Sequence, residues 1–109
     1  MDLRRDVFQA IADPTRREII ALVANRAMTP GAIAIHFNAT RQTISRHIKI
    51  LVDCELLMQE KSGRQYFYRL NPDKVREIAD FVQPFRKLWD DRLSTLEELM
   101  KYYDNEGGW

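Results

Sequence analysis

The sequence has 109 residues, 45% of them hydrophobic and 30% charged, with a net charge of +1 and one cysteine. This is enough for one domain with a modest core, residues 1–109, and it leaves no intrachain disulfide and no apolar run long enough to span a bilayer. The start, MDLRRDVFQAIAD, lacks a signal-peptide pattern, so a cytoplasmic location with no membrane partner is expected.

Leu3, Val7 and Ile11, joined by Phe8, recur at helical spacing and predict a short amphipathic helix. Asp13-Pro14 pairs a good N-cap with a residue suited to the first helical position. It predicts a second helix to about Asn25, with Ile19, Ile20, Leu22 and Val23 inside. Thr29-Pro30 repeats the device for a short third helix, TPGAIAIHF. Gly31 lowers its intrinsic propensity, and His36, following Ile35, reads as a packing residue. Asn38-Ala39 makes a turn and Thr40 caps a fourth helix. A short helix, a tight turn and a longer helix over about 29–54 form a helix-turn-helix signature.

Next comes LLMQEKSGRQYFYRL, two β-prone runs around Ser62-Gly63, which predict a hairpin over about 56–70. Tyr66, Tyr68 and Leu70 alternate onto one face, and Gln65, Phe67 and Arg69 onto the other. Asn71-Pro72 is a third cap-plus-proline start. Beyond it Val75, Ile78, Val82, Phe85, Trp89, Leu93, Leu96, Met100 and Tyr103 recur at steps of three or four, over about 72–103. Pro84 interrupts this stripe, leaving either a kinked helix or two helices meeting there. The fold class is mainly α with a small β-hairpin, a winged helix-turn-helix.

The charge is unevenly spread. Residues 40–70 hold six Lys/Arg against three Asp/Glu, whereas residues 71–109 hold six against nine. The basic middle coincides with the fourth helix, which points to a localised anion-binding surface. At 100° per residue, Ile48 and Leu51 fall within about 40° of Ile44 and form a core stripe. Gln42, Arg46 and Lys49 cluster on the opposite side, with Arg41 and Ser45 on the flank. No acidic residue precedes Asp53 on this helix, and the residue types suit base edges. Arg can be bidentate to guanine, Gln to adenine, and Ser adapts to either.

Thr29, Thr40, Arg41, Gln42, Thr43, Ser45, Arg46, His47 and Lys49 are therefore the candidate DNA-facing residues of the helix-turn-helix. Lys61, Arg64 and Gln65 at the hairpin tip would hold phosphates. The alternative is a winged helix used as a protein-interaction module with no specific DNA target. No paired carboxylates, nucleophile-base pair or Gly-rich phosphate loop supports an enzyme.

The stripe beyond Pro72 is longer than one small core can cover, which predicts a homodimer joined by its two ends. Leu3, Val7, Phe8, Phe85, Trp89, Leu93 and Leu96 are its candidate contacts. A two-fold partner requires an inverted-repeat double-stranded operator.

DPTRREIIALV, TRQTISRHIKILVDCELL and KSGRQYFYRLNP, in this order and spacing, resemble the ArsR family of dimeric winged-helix repressors over nearly the whole chain. ADPTRR and SRHIKIL together with GRQYFYRL form the specific combination, and FRKLWDDRLSTLEEL is similar to a metal-independent branch. The resemblance implies a DNA-binding homodimer that represses transcription near its own gene. Such proteins usually have glycine where Glu55 stands. Glycine tolerates a left-handed helix ending, which costs Glu on the order of 1 kcal/mol and puts the wing's orientation in question.

Arsenic-sensing relatives carry Cys-x-Cys at positions that here are Thr29 and Gly31, and zinc sensors use His and acidic residues on the last helix, where this chain has no His. His36, His47 and Cys54 are too few for a standard site unless carboxylates or a second subunit help, so no metal and no cofactor are expected. Cys54 reads as a small buried hydrophobe.

Overall fold

The computed structural model describes residues 6–105. Its elements are α1 (Val7–Ala10), α2 (Pro14–Val23), α3 (Pro30–Ala34), α4 (Arg41–Asp53), β1 (Leu57–Ser62), β2 (Gln65–Leu70) and α5 (Pro72–Asn105). Contacts divide the chain into two units, residues 1–78 and 79–109.

Each helix start in the first unit follows from its cap. Asp6 accepts from Gln9 N at 2.8 Å and Asp13 from Arg16 N at 3.0 Å. Thr29 accepts from Ala32 N at 3.2 Å and Thr40 from Thr43 N at 3.1 Å. These bonds satisfy donors that no preceding turn can reach. Pro14 and Pro30 occupy first-turn positions, where the missing N–H costs nothing.

The core of this unit gathers Val7 and Ala10 from α1, Ile19 and Val23 from α2, Met28, and Ile33 from α3. Ile44, Ile48 and Leu51 come from α4, and Cys54, Leu56 and Leu57 lead into the hairpin. The predicted stripe of α4 is thus the buried one. Val75 and Ile78, on the first turns of α5, pack against the same core.

Three sequence expectations change here. Val7, assigned above to a dimer contact, is 3% exposed and covered by its own chain. His36 is exposed instead of packed, and Ile35 before it is 83% exposed. For Ile35 the cause is geometric: Ile33 is fully buried, and a residue two positions on points about 200° away around a helix, while His36 lies past the end of α3. Helices α2 and α3 also end earlier than read from sequence, at Val23 and Ala34. Leu3 lies outside the described residues.

The hairpin is antiparallel, with register Leu57↔Leu70 at its base and Ser62↔Gln65 at its tip. Gly63 and Arg64 form the two-residue turn, one position later than the Ser62-Gly63 signal placed it. Gly63 has φ 64, as a first central turn position of this kind demands. Tyr68 also pairs with Met28 through Met28 N→Tyr68 O at 3.0 Å and Tyr68 N→Met28 O at 2.8 Å. This isolated bridge fastens the wing to the segment before α3.

In the second unit, residues from 79 onward continue α5. Pro84 lies inside this helix, so it does not separate two helices. Proline withholds the hydrogen bond that would reach the carbonyl of Asp80, and at this exposed position water can replace it. Phe81, Val82, Phe85, Leu88, Trp89, Leu93, Leu96, Leu99 and Met100 are all exposed along the helix.

Candidate nucleic-acid interface

The apolar side of α4 is locked into the core, which fixes the opposite side outward. There Arg41, Gln42, Ser45, Arg46 and Lys49 line one open depression of about 630 Å³. Lys49 Nζ lies 3.3 Å from Asp53 Oδ2, one turn along, so part of its charge is matched locally. Among the described residues, no ion pair engages Arg41, Arg46 or Arg64, and all three are exposed.

A second cleft, about 330 Å³, lies between the helix-turn-helix and the wing. Thr29, Pro30, Gly31, Arg41, Arg64, Gln65 and Tyr66 line it. It brings the guanidinium at the start of α4 and the one at the wing tip onto one surface. Lys61 Nζ lies 5.8 Å from the centre of the Tyr66 ring on the neighbouring strand, within cation–π range.

The threonines divide by task. Thr29 and Thr40 use their hydroxyls as caps, and Thr40 Oγ1 also shares a 2.9 Å hydrogen bond with Thr43 Oγ1. These three side chains shape the helix ends, while Ser45 on the second turn stays exposed on the basic face. His47 behaves unlike its neighbours. Its ring turns toward α2, with Nδ1 3.4 Å from Arg16 Nη1 and 3.8 Å from Asp13 Oδ2, and its side chain is only 19% exposed.

Asp13 responds to this crowding. Partial burial pushes its carboxyl up, but the Arg16 N–H, the nearby His47 and Arg16 side chains and the Thr15 N–H outweigh it. The carboxyl is held below the ordinary 3.8. Tyr68, on wing strand β2, is pushed above the ordinary tyrosine value by burial and by Tyr66.

Sequence reasoning missed Met28, whose bridge to Tyr68 sets where the wing stands. It also missed Arg16 as a partner of α4. Asp13-Pro14 signalled a helix start, but nothing local could say which distant residue that start would face.

In the first unit Phe8 is 41% exposed, and in the second Trp89 is 63% exposed with Phe85, Leu93 and Leu96 also exposed. These are the predicted association residues other than Leu3 and Val7. Among the described residues, no three His, Cys, Asp or Glu side chains gather as a metal site would require. No described helix is long and apolar enough to cross a membrane.

A helix-turn-helix domain family matches residues 11–60, which span α2 to β1. The chain is 36% identical over 88 residues to the transcriptional repressor SdpR of Bacillus subtilis (strain 168), covering 81% of this chain and 98% of that protein. It is 32% identical over 76 residues to the arsenical resistance operon repressor of Staphylococcus xylosus, covering 70% of this chain and 69% of that one. A solved structure from Mycobacterium bovis, Mb0332, is similar with a TM-score of 0.64 and 27% identity over 78% of each chain. It is described as a homodimeric winged helix-turn-helix DNA-binding domain of a possible ArsR-family transcriptional regulator. Matched over 81% of its length by a repressor that it covers almost entirely, this chain belongs to the ArsR family of winged helix-turn-helix transcriptional regulators.

Proposed function

We propose that the protein is a cytoplasmic homodimeric repressor that binds an inverted-repeat operator in double-stranded DNA at its own or a neighbouring operon. In this reading α4 enters the major groove and the wing lies on the backbone. The observation that carries it is the two-sidedness of α4. Ile44, Ile48 and Leu51 anchor one face, and Arg41, Gln42, Ser45, Arg46 and Lys49 stand exposed together on the other. Arg46 and Gln42 read base edges in this scheme, and Arg41, Lys61, Arg64 and Gln65 hold phosphates.

Association through the ends of the chain follows from the exposed stripe of α5 and from Phe8. An exposed apolar stripe as long as that of α5 needs a cover, and the homodimeric Mb0332 supports a second copy in that role. The two recognition helices then meet half-sites about one helical turn, or a multiple of it, apart.

We further propose that repression is relieved without a metal ion. Thr29 and Gly31 supply no thiolate, and Cys54 is buried. The test of the main reading is footprinting on DNA upstream of the protein's own gene, repeated across a salt series. Protection of an inverted repeat with steep salt dependence is expected. No protection, or salt-insensitive association with another protein, would instead favour a protein-interaction module.

A further inference from the structure

Arg16 stands in the first turn of α2, and its guanidinium faces three ways. Nε donates to Ala10 O at 2.7 Å and Nη2 to Gln9 O at 3.2 Å, which satisfies carbonyls at the end of α1. Nη1 is 3.4 Å from His47 Nδ1, a long hydrogen bond from α2 to the middle of α4. Arginine has donors only, so in this bond Nδ1 is the acceptor, which requires the tautomer with the ring proton on Nε2. Asp13 closes the other side, with Oδ2 accepting from Arg16 N at 3.0 Å and lying 3.8 Å from Nδ1. His47 is therefore held among α2 groups, about 100° around the helix from Arg46.

We infer that His47 is a positioning residue for operator recognition and not a DNA contact, acting through its hydrogen bond from Arg16. The inference rests on α4 being the DNA-reading helix. The apolar contacts of Ile44, Ile48 and Leu51 set how deep α4 sits and which face points outward, but such contacts are non-directional and hold rotations of a few degrees about the helix axis less tightly. A directional bond from a guanidinium already tied to α1 removes that freedom. Rotation matters because a bidentate arginine contact has a narrow geometry. With side chains reaching about 6 Å from the axis, a turn of about 10° moves their tips by about 1 Å. The same guanidinium joins the end of α1 to α4, so the orientation of the reading face is set relative to α1.

The test is a double-mutant cycle on the full chain, read as affinity for the cognate operator and for random DNA. His47→Leu is expected to weaken operator binding about tenfold in the natural background but to have little effect beside Arg16→Met. Random-DNA affinity and the salt slope should stay unchanged, and His47→Asn, which keeps an acceptor near the Nδ1 position, should restore operator affinity. Equal losses in both Arg16 backgrounds would overturn the inference. So would a His47→Leu loss shared by random DNA with a lowered salt slope, the mark of a phosphate contact. Should Arg16→Met fail to fold, the imidazole nitrogen resonances of the natural chain decide. An Nε2–H tautomer with an accepting Nδ1 is expected, and a protonated Nδ1 at neutral pH refutes the bond. Absence of any specific operator for the natural chain would strike the DNA-binding reading itself, an outcome distinct from an additive cycle.

Discussion

The side-chain amide of Asn71 donates to the backbone carbonyl of Glu55 at 2.9 Å, joining the residue before α5 to the one just past α4. Glu55 has φ 63, in the left-handed region that favours glycine. Around it, Asn71 N donates to Leu56 O at 2.9 Å and Lys74 Nζ lies 3.5 Å from Glu55 Oε2. The helix ending therefore keeps its left-handed form with a side chain that is costly there, held by a neighbour from beyond the wing. Asn71→Ala is expected to lower stability by about 1–2 kcal/mol, losing both this bond and the Asp73 N–H that Asn71 caps. Glu55→Gly should raise stability by up to about 1 kcal/mol, since the contact of Lys74 with the largely exposed Glu55 carboxylate offsets little of the strain. Denaturant melts of both variants check this, and a destabilised Glu55→Gly contradicts the strain argument.

Arg46 is exposed on the face opposite Ile44 and Ile48. Arg46→Ala is expected to cost about 1–3 kcal/mol on the cognate operator and less on random DNA. Titrations on the two DNAs decide, and equal losses make Arg46 a phosphate contact.

Arg64 sits at the wing tip beside Gly63, where reach matters more than base-edge geometry. Arg64→Ala should weaken binding almost uniformly across sequences and lower the salt slope by roughly one unit. An altered sequence preference at unchanged slope is the opposing result.

Operator affinity should be the same with zinc, cadmium or arsenite added and with chelator present. The reason is ligand supply: Thr29 and Gly31 stand where thiols would be needed. Reversible, stoichiometric release from DNA by one of these ions would defeat the metal-independent reading.

Trp89 is 63% exposed within one chain and is flanked along α5 by Phe85, Leu93 and Leu96. Large aromatics in such stripes carry much of an interface's energy. Trp89→Ala is expected to shift the sedimenting mass toward a monomer and weaken operator binding in step. A folded monomer binding an inverted repeat at full affinity rules out dimerisation through α5.

The sequence by itself determined what short-range chemistry controls. Asp13, Thr29 and Thr40 cap helices as their neighbours predict, Gly63 takes the turn, and the period of Ile44, Ile48 and Leu51 assigns the two faces of α4. Even the conformational cost at Glu55 was legible, because φ preference is local. Pro84 was ambiguous, since a proline's local penalty does not say whether the surroundings let the helix continue. Only the tertiary structure decided that Val7 is inside while Ile35 and His36 are outside. A short helix has too few turns for periodicity to orient it, and its neighbours choose the buried face. The Met28–Tyr68 bridge and the Arg16–His47 bond belong to the same class. Each joins residues far apart in the chain, and a hydrogen bond of that kind exists only once packing has brought donor and acceptor together.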